Sequence, residues 1–339
     1  GDPPRWVQTP RAVLVRTGDI EGATALERQA VQTEQEVGSK VNMAVRTLVV
    51  GFAYQDVNRY ADAMERYKRA EALARDTANT YLQRIVALDI GNLLRTQGLA
   101  KDSVPYLDAA LASARKDGDV DTEVRSLISL GDTYSDLAQY DKALQQHQQA
   151  LAIDRRLGRR DTEVQDLISI AYTYEAIGRA GEGLELARQA AAIAHDIRNG
   201  LLEADAVRAI GNNMAALGRP AEALEFHRQS LEIHQQMHSA EGEAGDHSNM
   251  ADAYLELGQY GQTLELYGKA LEYFRGAGLR PSEAVLLGNL GDAYRRFGQP
   301  ARALEYLQQA LAITREVGQR QREASVLSSI GNAQYDLRD

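Results

Sequence analysis

The chain contains no cysteine in 339 residues, which removes disulfides, thiolate metal sites and cysteine nucleophiles together and fits a reducing compartment. Proline is scarce, and Pro3, Pro4 and Pro10 cluster with the single tryptophan, Trp6, ahead of everything periodic. No apolar run approaches the roughly 18 residues of a membrane span, and no signal peptide is visible, so a cytoplasmic location and no membrane partner are expected. Basic residues are outnumbered, 38 Lys+Arg against 48 Asp+Glu for a net charge of -10. A chain without a basic face is a poor partner for a phosphate backbone, so no nucleic acid is expected. Glycine-rich phosphate loops, strand alternation and nucleophile elbows are also missing, which points away from an enzyme and from any cofactor.

What is present is one sentence restated every forty residues. Its clearest copy is Ser282 to Gln319. Pro281 stands where a first helical residue would, and Leu286, Leu287, Leu290 and Tyr294 follow at helical spacing, giving a helix A. Gly298 can take the left-handed conformation that ends a helix, and Pro300 presets the next. Ala303, Leu304, Leu307, Ala310, Leu311 and Ala312 then form the apolar stripe of a helix B that runs to Gly318. Gly291 and Ala303 are small enough for the two helices to approach closely. Gly291 has small equivalents at Gly51, Gly91, Gly131, Ala171, Gly211, Ala251 and Gly331. Gly298 lines up with Gly18, Gly98, Gly178, Gly218 and Gly258, with Asn58 and Ala138 as exceptions. Such a period implies a solenoid whose units bury their apolar faces by stacking on neighbours.

Leu290-Gly291-x-x-Tyr294, followed by Ala303, Leu307 and Ala310, resembles the tetratricopeptide repeat (TPR), a helix-turn-helix unit of usually about 34 residues. The longer unit here, lacking the closing proline, is similar to the forty-residue repeats of kinesin light chains, of Pins/LGN-type adaptors and of bacterial signalling proteins. The resemblance implies an all-α fold, a right-handed superhelical solenoid of antiparallel helix pairs, over roughly residues 11 to 337. Residues 1–10 read as an extended lead-in or the cut end of a preceding unit, and 11–339 as a single array. Arg11 to Thr17 is a remnant helix A and Ile20 to Val37 its helix B. Seven full pairs follow at about 40–77, 80–117, 120–157, 160–197, 200–237, 240–277 and 281–317, and a last unpaired helix starts near 321. Gly1 in place of methionine and the unpaired last helix read as a fragment of a longer protein.

On each helix A, the positions six and two before the small column and one and five after it share a face. In tetratricopeptide arrays that face lines the concave groove. The column just after the small residue reads Phe52, Asn92, Asp132, Tyr172, Asn212, Asp252, Asp292 and Asn332, and the column two before it includes Asp89, Asn249 and Asn289. Short side chains that donate and accept hydrogen bonds suit the backbone of an extended peptide better than they suit a merely solvated wall. Asp56, Asp89, Asp132, Asp136, Glu175, Asp205, Asp252, Glu256, Asp292 and Asp336 set an acidic tone, with Arg95, Arg125, Arg208, Arg295 and Arg296 as cationic spots. A protein or peptide partner with basic residues is complementary to it. The residues expected to bind it are Asp89, Asn92, Arg95, Arg125, Asp132, Asp136, Arg208, Asn212, Asn249, Asp252, Asn289, Asp292, Arg295 and Arg296. The groove columns carry no lysine, which disfavours the carboxylate clamp used for chaperone tails.

His227, His234 and His238 are spaced to share a face of one helix B, but His227 occupies the core column of Leu307 and no carboxylate completes a set, so no metal is expected. Asp132 and Asp136 are i, i+4 neighbours on an open face without a partnering histidine, and read as solvated charges rather than an acid–base pair. His247, with Gly242 and Gly245, marks one helix A as a weak point and a hinge. The leading reading is a non-catalytic protein–protein interaction scaffold that binds a linear peptide in its groove. Its alternatives are a regulatory arm of a larger bacterial multidomain protein with a caspase-like, ATPase or transcriptional effector, and a scaffold that self-associates through uncapped ends.

Overall fold

The computed structural model describes residues 40–57 and 59–338. The lead-in with Trp6 and the helices expected at 11–17 and 20–37 lie outside them. The chain divides into two compact units, residues 1–133 and 134–339. The first unit holds α1 (Lys40–Asp56), α2 (Tyr60–Asp76), α3 (Thr80–Thr96), α4 (Ala100–Asp117) and most of α5 (Val120–Asp136). The second holds α6 (Tyr140–Leu157), α7 (Arg160–Ala176), α8 (Ala180–Asp196), α9 (Gly200–Ala216), α10 (Pro220–Gln236), α11 (Ala240–Glu256), α12 (Tyr260–Gly276), α13 (Arg280–Arg296), α14 (Pro300–Glu316) and α15 (Arg320–Asp336). Among the described residues every regular element is helical, and the fold is an all-α solenoid of antiparallel pairs. Odd-numbered helices are the A helices and even-numbered ones the B helices.

From Ala78 to Gly318, each described turn between helices is closed by one residue in the left-handed region. Gly298, at φ 69°, ends α13. Its N–H donates to the Arg295 carbonyl at 3.0 Å, and the Gln299 N–H to the Tyr294 carbonyl at 2.9 Å. Glycine takes this conformation without the Cβ clash that other residues pay. Where glycine is absent the geometry persists, at Ala78 (φ 49°), Ala138 (φ 55°), Arg198 (φ 56°) and His238 (φ 54°). Helix α13 starts at Arg280, with Pro281 in its first turn, and α15 at Arg320, each one residue before the sequence pattern suggested.

Close packing inside each pair follows the small column. A Cβ on Gly291 would stand 2.5 Å from Leu307 Cγ, and one on Gly211 would stand 2.5 Å from His227 Cε1. Within the second unit, Val164, Leu167 and Ile170 of α7, Leu184, Ala187 and Ala190 of α8 and Ala206, Ile210 and Met214 of α9 belong to one continuous buried cluster. Burial of such side chains stabilises by about 1.5–3 kcal/mol each for the larger ones. Successive pairs are tied by a staple between the last turn of a B helix and the first turn of the next A helix. Arg115–Glu123 (2.9 Å), Arg155–Glu163 (2.9 Å), Arg275–Glu283 (2.8 Å) and Arg315–Glu323 (2.7 Å) repeat it, and His195–Glu203 (3.0 Å) replaces arginine by histidine.

Candidate functional site

Helical periodicity puts residues three and four apart on one face, and in the second unit it assembles a groove of about 510 Å³ across four successive A helices. Glu175 comes from α7, Asn212, Ala215 and Ala216 from α9, Asn249, Asp252, Leu255 and Glu256 from α11, and Asn289, Asp292 and Arg296 from α13. His227 of α10 and Tyr267 of α12 reach it from the layer of B helices behind. Six of the residues singled out from the sequence, Asn212, Asn249, Asp252, Asn289, Asp292 and Arg296, are thus brought together. Tyr267 was missed, because it lies in the column of Leu307, where a core residue is the default.

The electrostatics are one-sided. Among the described residues Arg296 is the one cation on the groove wall, and it pairs with Glu256 at 2.6 Å. Asp252 accepts a hydrogen bond from the Tyr267 hydroxyl. Its side chain can be reached by water, yet it stands within a concave wall, and burial pushes its carboxyl up to about 6, against the Tyr267 hydrogen bond and with the help of Glu256. Burial likewise raises Glu175. His227 is only 1% exposed, its Nδ1 has no hydrogen-bond partner, and burial pulls it down to about 4, so it is neutral near pH 7.

The other expected site residues are placed differently. In the first unit Arg95 pairs with Asp132 at 3.3 Å and Arg125 with Asp89 at 3.9 Å, while Asn92 is half-buried on the same helix as Arg95. Asp132 is not a simply solvated charge, since burial raises its carboxyl against the pull of Arg95. In the second unit Arg295 pairs with Asp336 at 3.2 Å, and Asp136 faces Arg322. Arg208 is held by Asp205, by the Tyr172 hydroxyl and, at 3.9 Å, by Asp246. The cationic spots are therefore paired with acids of their own or neighbouring A helices.

The three histidines of the α10 region do not converge, and among the described residues no group of three or more His, Asp or Glu side chains is placed to hold a metal. His234, 2% exposed, forms a buried network instead. Its Nδ1 lies 2.6 Å from Asp246 and 3.4 Å from Ser230 Oγ, and Ser230 Oγ lies 2.9 Å from Asp246. Serine, histidine and aspartate are the residue types of a hydrolytic triad, which needs serine and aspartate on opposite ring nitrogens. Here both meet the same nitrogen and all three side chains are buried. Burial opposes the charge on His234, but Asp205 and Asp246 outweigh it and lift the imidazole to about 9. Helix α11 is unbroken: Gly242 makes room for the His234 ring, and Gly245 for Arg208. The glycines read as marking a hinge are packing residues.

Eighty residues earlier, Asp154 and Asp166 occupy the places of His234 and Asp246. Both are buried, and no other residue donates a hydrogen bond to their four carboxyl oxygens, which have only each other as partners. Arg159 stands 3.8 Å from Asp154. Burial, with Asp154 and Glu163 beside it, pushes Asp166 up to about 8, so this pair keeps a proton at neutral pH.

Comparison with known proteins bears on what such a solenoid is. Family models described as tetratricopeptide repeat match residues 79–156 and 246–316, and another matches 204–242. Tetratricopeptide repeat protein 29 of Trypanosoma brucei brucei is 25% identical over 137 residues, 40% of this chain, and the match spans 28% of that relative's length. Apo RapI superposes with a TM-score of 0.61 at 14% identity, covering 85% of this chain and 99% of RapI. A Rap protein in complex with competence and sporulation factor gives 0.61 at 14% identity, covering 97% and 96% of the two chains. At these identities the structural likeness speaks to fold alone. The repeat matches cover more than half of the sequence, no described helix is long and apolar enough to cross a membrane, and the chain belongs to the tetratricopeptide repeat family.

Proposed function

We propose that the protein is a non-catalytic interaction scaffold and that the groove of the second unit binds an extended segment of a partner protein bearing basic residues. One observation carries this reading. Asn212, Asn249 and Asn289 line the groove together with Asp252, Asp292 and Glu175, and its single arginine is already engaged with Glu256. Carboxamides both donate and accept, so they suit a peptide backbone, while the carboxylates suit ammonium or guanidinium groups. Such a segment adds charge complementarity beyond the Arg296–Glu256 pair that the groove already holds.

The test uses a fluorescent, end-capped nonapeptide of alternating arginine and serine. Binding to the full chain is expected to weaken tenfold or more, about 1.4 kcal/mol, when Asp252→Asn and Asp292→Asn are combined. The Asn212→Ala, Asn249→Ala and Asn289→Ala triple variant should weaken it as well. Glu185→Gln and Glu225→Gln, exposed on B helices, serve as charge controls. Equal losses in groove and control variants, with helicity intact, would reduce the effect to net charge and overturn the reading.

A further inference from the structure

Among the groove's carboxylates, Asp252 alone rests on a buried hydroxyl. Tyr267 is wholly enclosed and donates to Asp252 Oδ1. The forty-residue equivalents of these two places are Asn212 with His227 and Asp292 with Leu307, so neither neighbouring repeat sets a tyrosine behind an acid. In the first unit Tyr67 donates to Gln55 at 2.8 Å, which is neutral. The titratable and charged groups that share the groove with Asp252 are Glu256 on its own helix, Tyr267 of α12, Asp292 and Arg296 of α13, His227 of α10 and Glu175 of α7. Arg296 is committed to Glu256 and His227 is neutral. No cation of the groove therefore balances a charge on Asp252.

We propose that Asp252 is a proton-exchanging anchor, positioned by Tyr267, that accepts a cationic group of the bound segment by giving up its own proton, so that the groove grips basic segments at neutral pH and releases them as the pH falls. The inference rests on the peptide-groove reading and adds its regulation. A carboxyl set in a concave wall that it shares with other acids holds its proton more tightly, because the ionised form is less well solvated there and is repelled. A guanidinium or ammonium arriving beside it favours the ionised form and expels that proton, and by linkage the proton opposes the ligand equally. Burial puts the exchange near pH 6. Tyr267 donates only to the oxygen it faces, which fixes the carboxyl plane and favours the charged form.

The experiment follows the arginine–serine probe by anisotropy from pH 5 to pH 8.5 at constant ionic strength. With half-ionisation near 6, the affinity at pH 5 should be about tenfold below that at pH 8, since roughly one carboxyl in ten is then ionised. Calorimetry in two buffers of different ionisation enthalpy should show nearly one proton released per peptide at pH 5 and none at pH 8. Asp252→Asn should bind weakly at every pH with a flat profile. Tyr267→Phe keeps the ring but removes the donor, so its profile should shift to higher pH while its affinity at pH 8.5 approaches that of the unaltered protein. A flat profile in the unaltered protein, or the same slope in Asp252→Asn, refutes the proton exchange and leaves the groove reading standing. Absence of binding at every pH refutes the groove reading itself, and the proposal with it.

Discussion

Residues 154 and 166 in one junction and residues 234 and 246 in another hold the same two places eighty residues apart, yet the two junctions solve burial in opposite ways. Elsewhere those places carry Ala114 and Ser126, Ala194 and Ala206, Phe274 and Leu286, or Thr314 and Val326, so the fold itself does not require charge there. The His234–Asp246 pair is complementary and has Ser230 and Arg208 about it. The Asp154–Asp166 pair is of like charge, receives no hydrogen bond from another residue, and is tolerable only because a proton stays with it and is shared between the two carboxyls. A solenoid repeats its backbone and leaves each junction to find its own side-chain balance. Because units interact mainly with their neighbours, a costly junction can persist beside a satisfied one.

The largest effect should come from breaking the satisfied pair. His234→Ala leaves the Asp246 carboxylate, 0% exposed, without its imidazolium, and removing one partner of a buried pair typically costs about 3–5 kcal/mol. Urea unfolding of the full chain at pH 7 should show that loss. Hydrogen exchange should place it in α10 and α11, and the His234→Ala, Asp246→Ala double variant should recover much of it. If His234→Ala costs no more than an exposed substitution, the network contributes nothing.

The same truncation in the other junction should have the opposite sign. Asp154→Ala installs the residue found at Ala74, Ala114 and Ala194 and removes like-charge repulsion from Asp166. A gain of about 1–3 kcal/mol is expected at pH 8, shrinking toward pH 5. Asp166 is raised to about 8, so its contribution is fully present below the unfolded value near 4 and is lost as the pH rises through 8. His234, raised to about 9 from 6.5, works in the same direction, its contribution present below 6.5 and lost through 9. Thermal unfolding of the unaltered chain should therefore weaken between pH 7 and pH 9, and Asp154→Ala should flatten that decline. His227, lowered to about 4, acts oppositely, contributing above 6.5 and losing that contribution as the pH falls through 4.

Much of this could be read from the forty-residue columns, because backbone devices recur wherever the backbone does. The left-handed turn residues, including the exception at Ala138, and the close contact between Gly291 and Leu307 follow from small and flexible residues at fixed spacing. Six groove residues were likewise legible from the columns around Gly291. What escaped was pairing across repeats. Arg95 with Asp132 and Arg296 with Glu256 lie 37 and 40 residues apart, and spacing alone does not say which acid a long arginine will choose. Tyr267 and the Asp154 and Asp166 pair escaped because they sit in columns that are otherwise mostly apolar. Those columns held a usable signal: a charge at a place filled by alanine in other copies marks a buried group that must be neutralised or paired.

The smallest expected effect separates the surface of the two junctions from their interiors. Beside the Asp154–Asp166 pair the staple is Arg155–Glu163 at 2.9 Å, with the glutamate side chain 6% exposed. Beside His234–Asp246 the arginine's place is taken by Gln235, opposite Glu243. Gln235→Arg should rebuild the staple, but it also sets a second cation next to His234, which is itself charged at neutral pH. Partly exposed ion pairs contribute about 0.2–1 kcal/mol and fade with salt, so a gain near 0.5 kcal/mol at low ionic strength, vanishing in 1 M salt, is expected from urea midpoints. The gain should grow at pH 10, where the imidazole has lost its proton and no longer repels the new guanidinium. An equal gain at pH 7 and pH 10 would mean that the buried network and the surface staple do not sense each other, and that the two junctions differ only in their interiors.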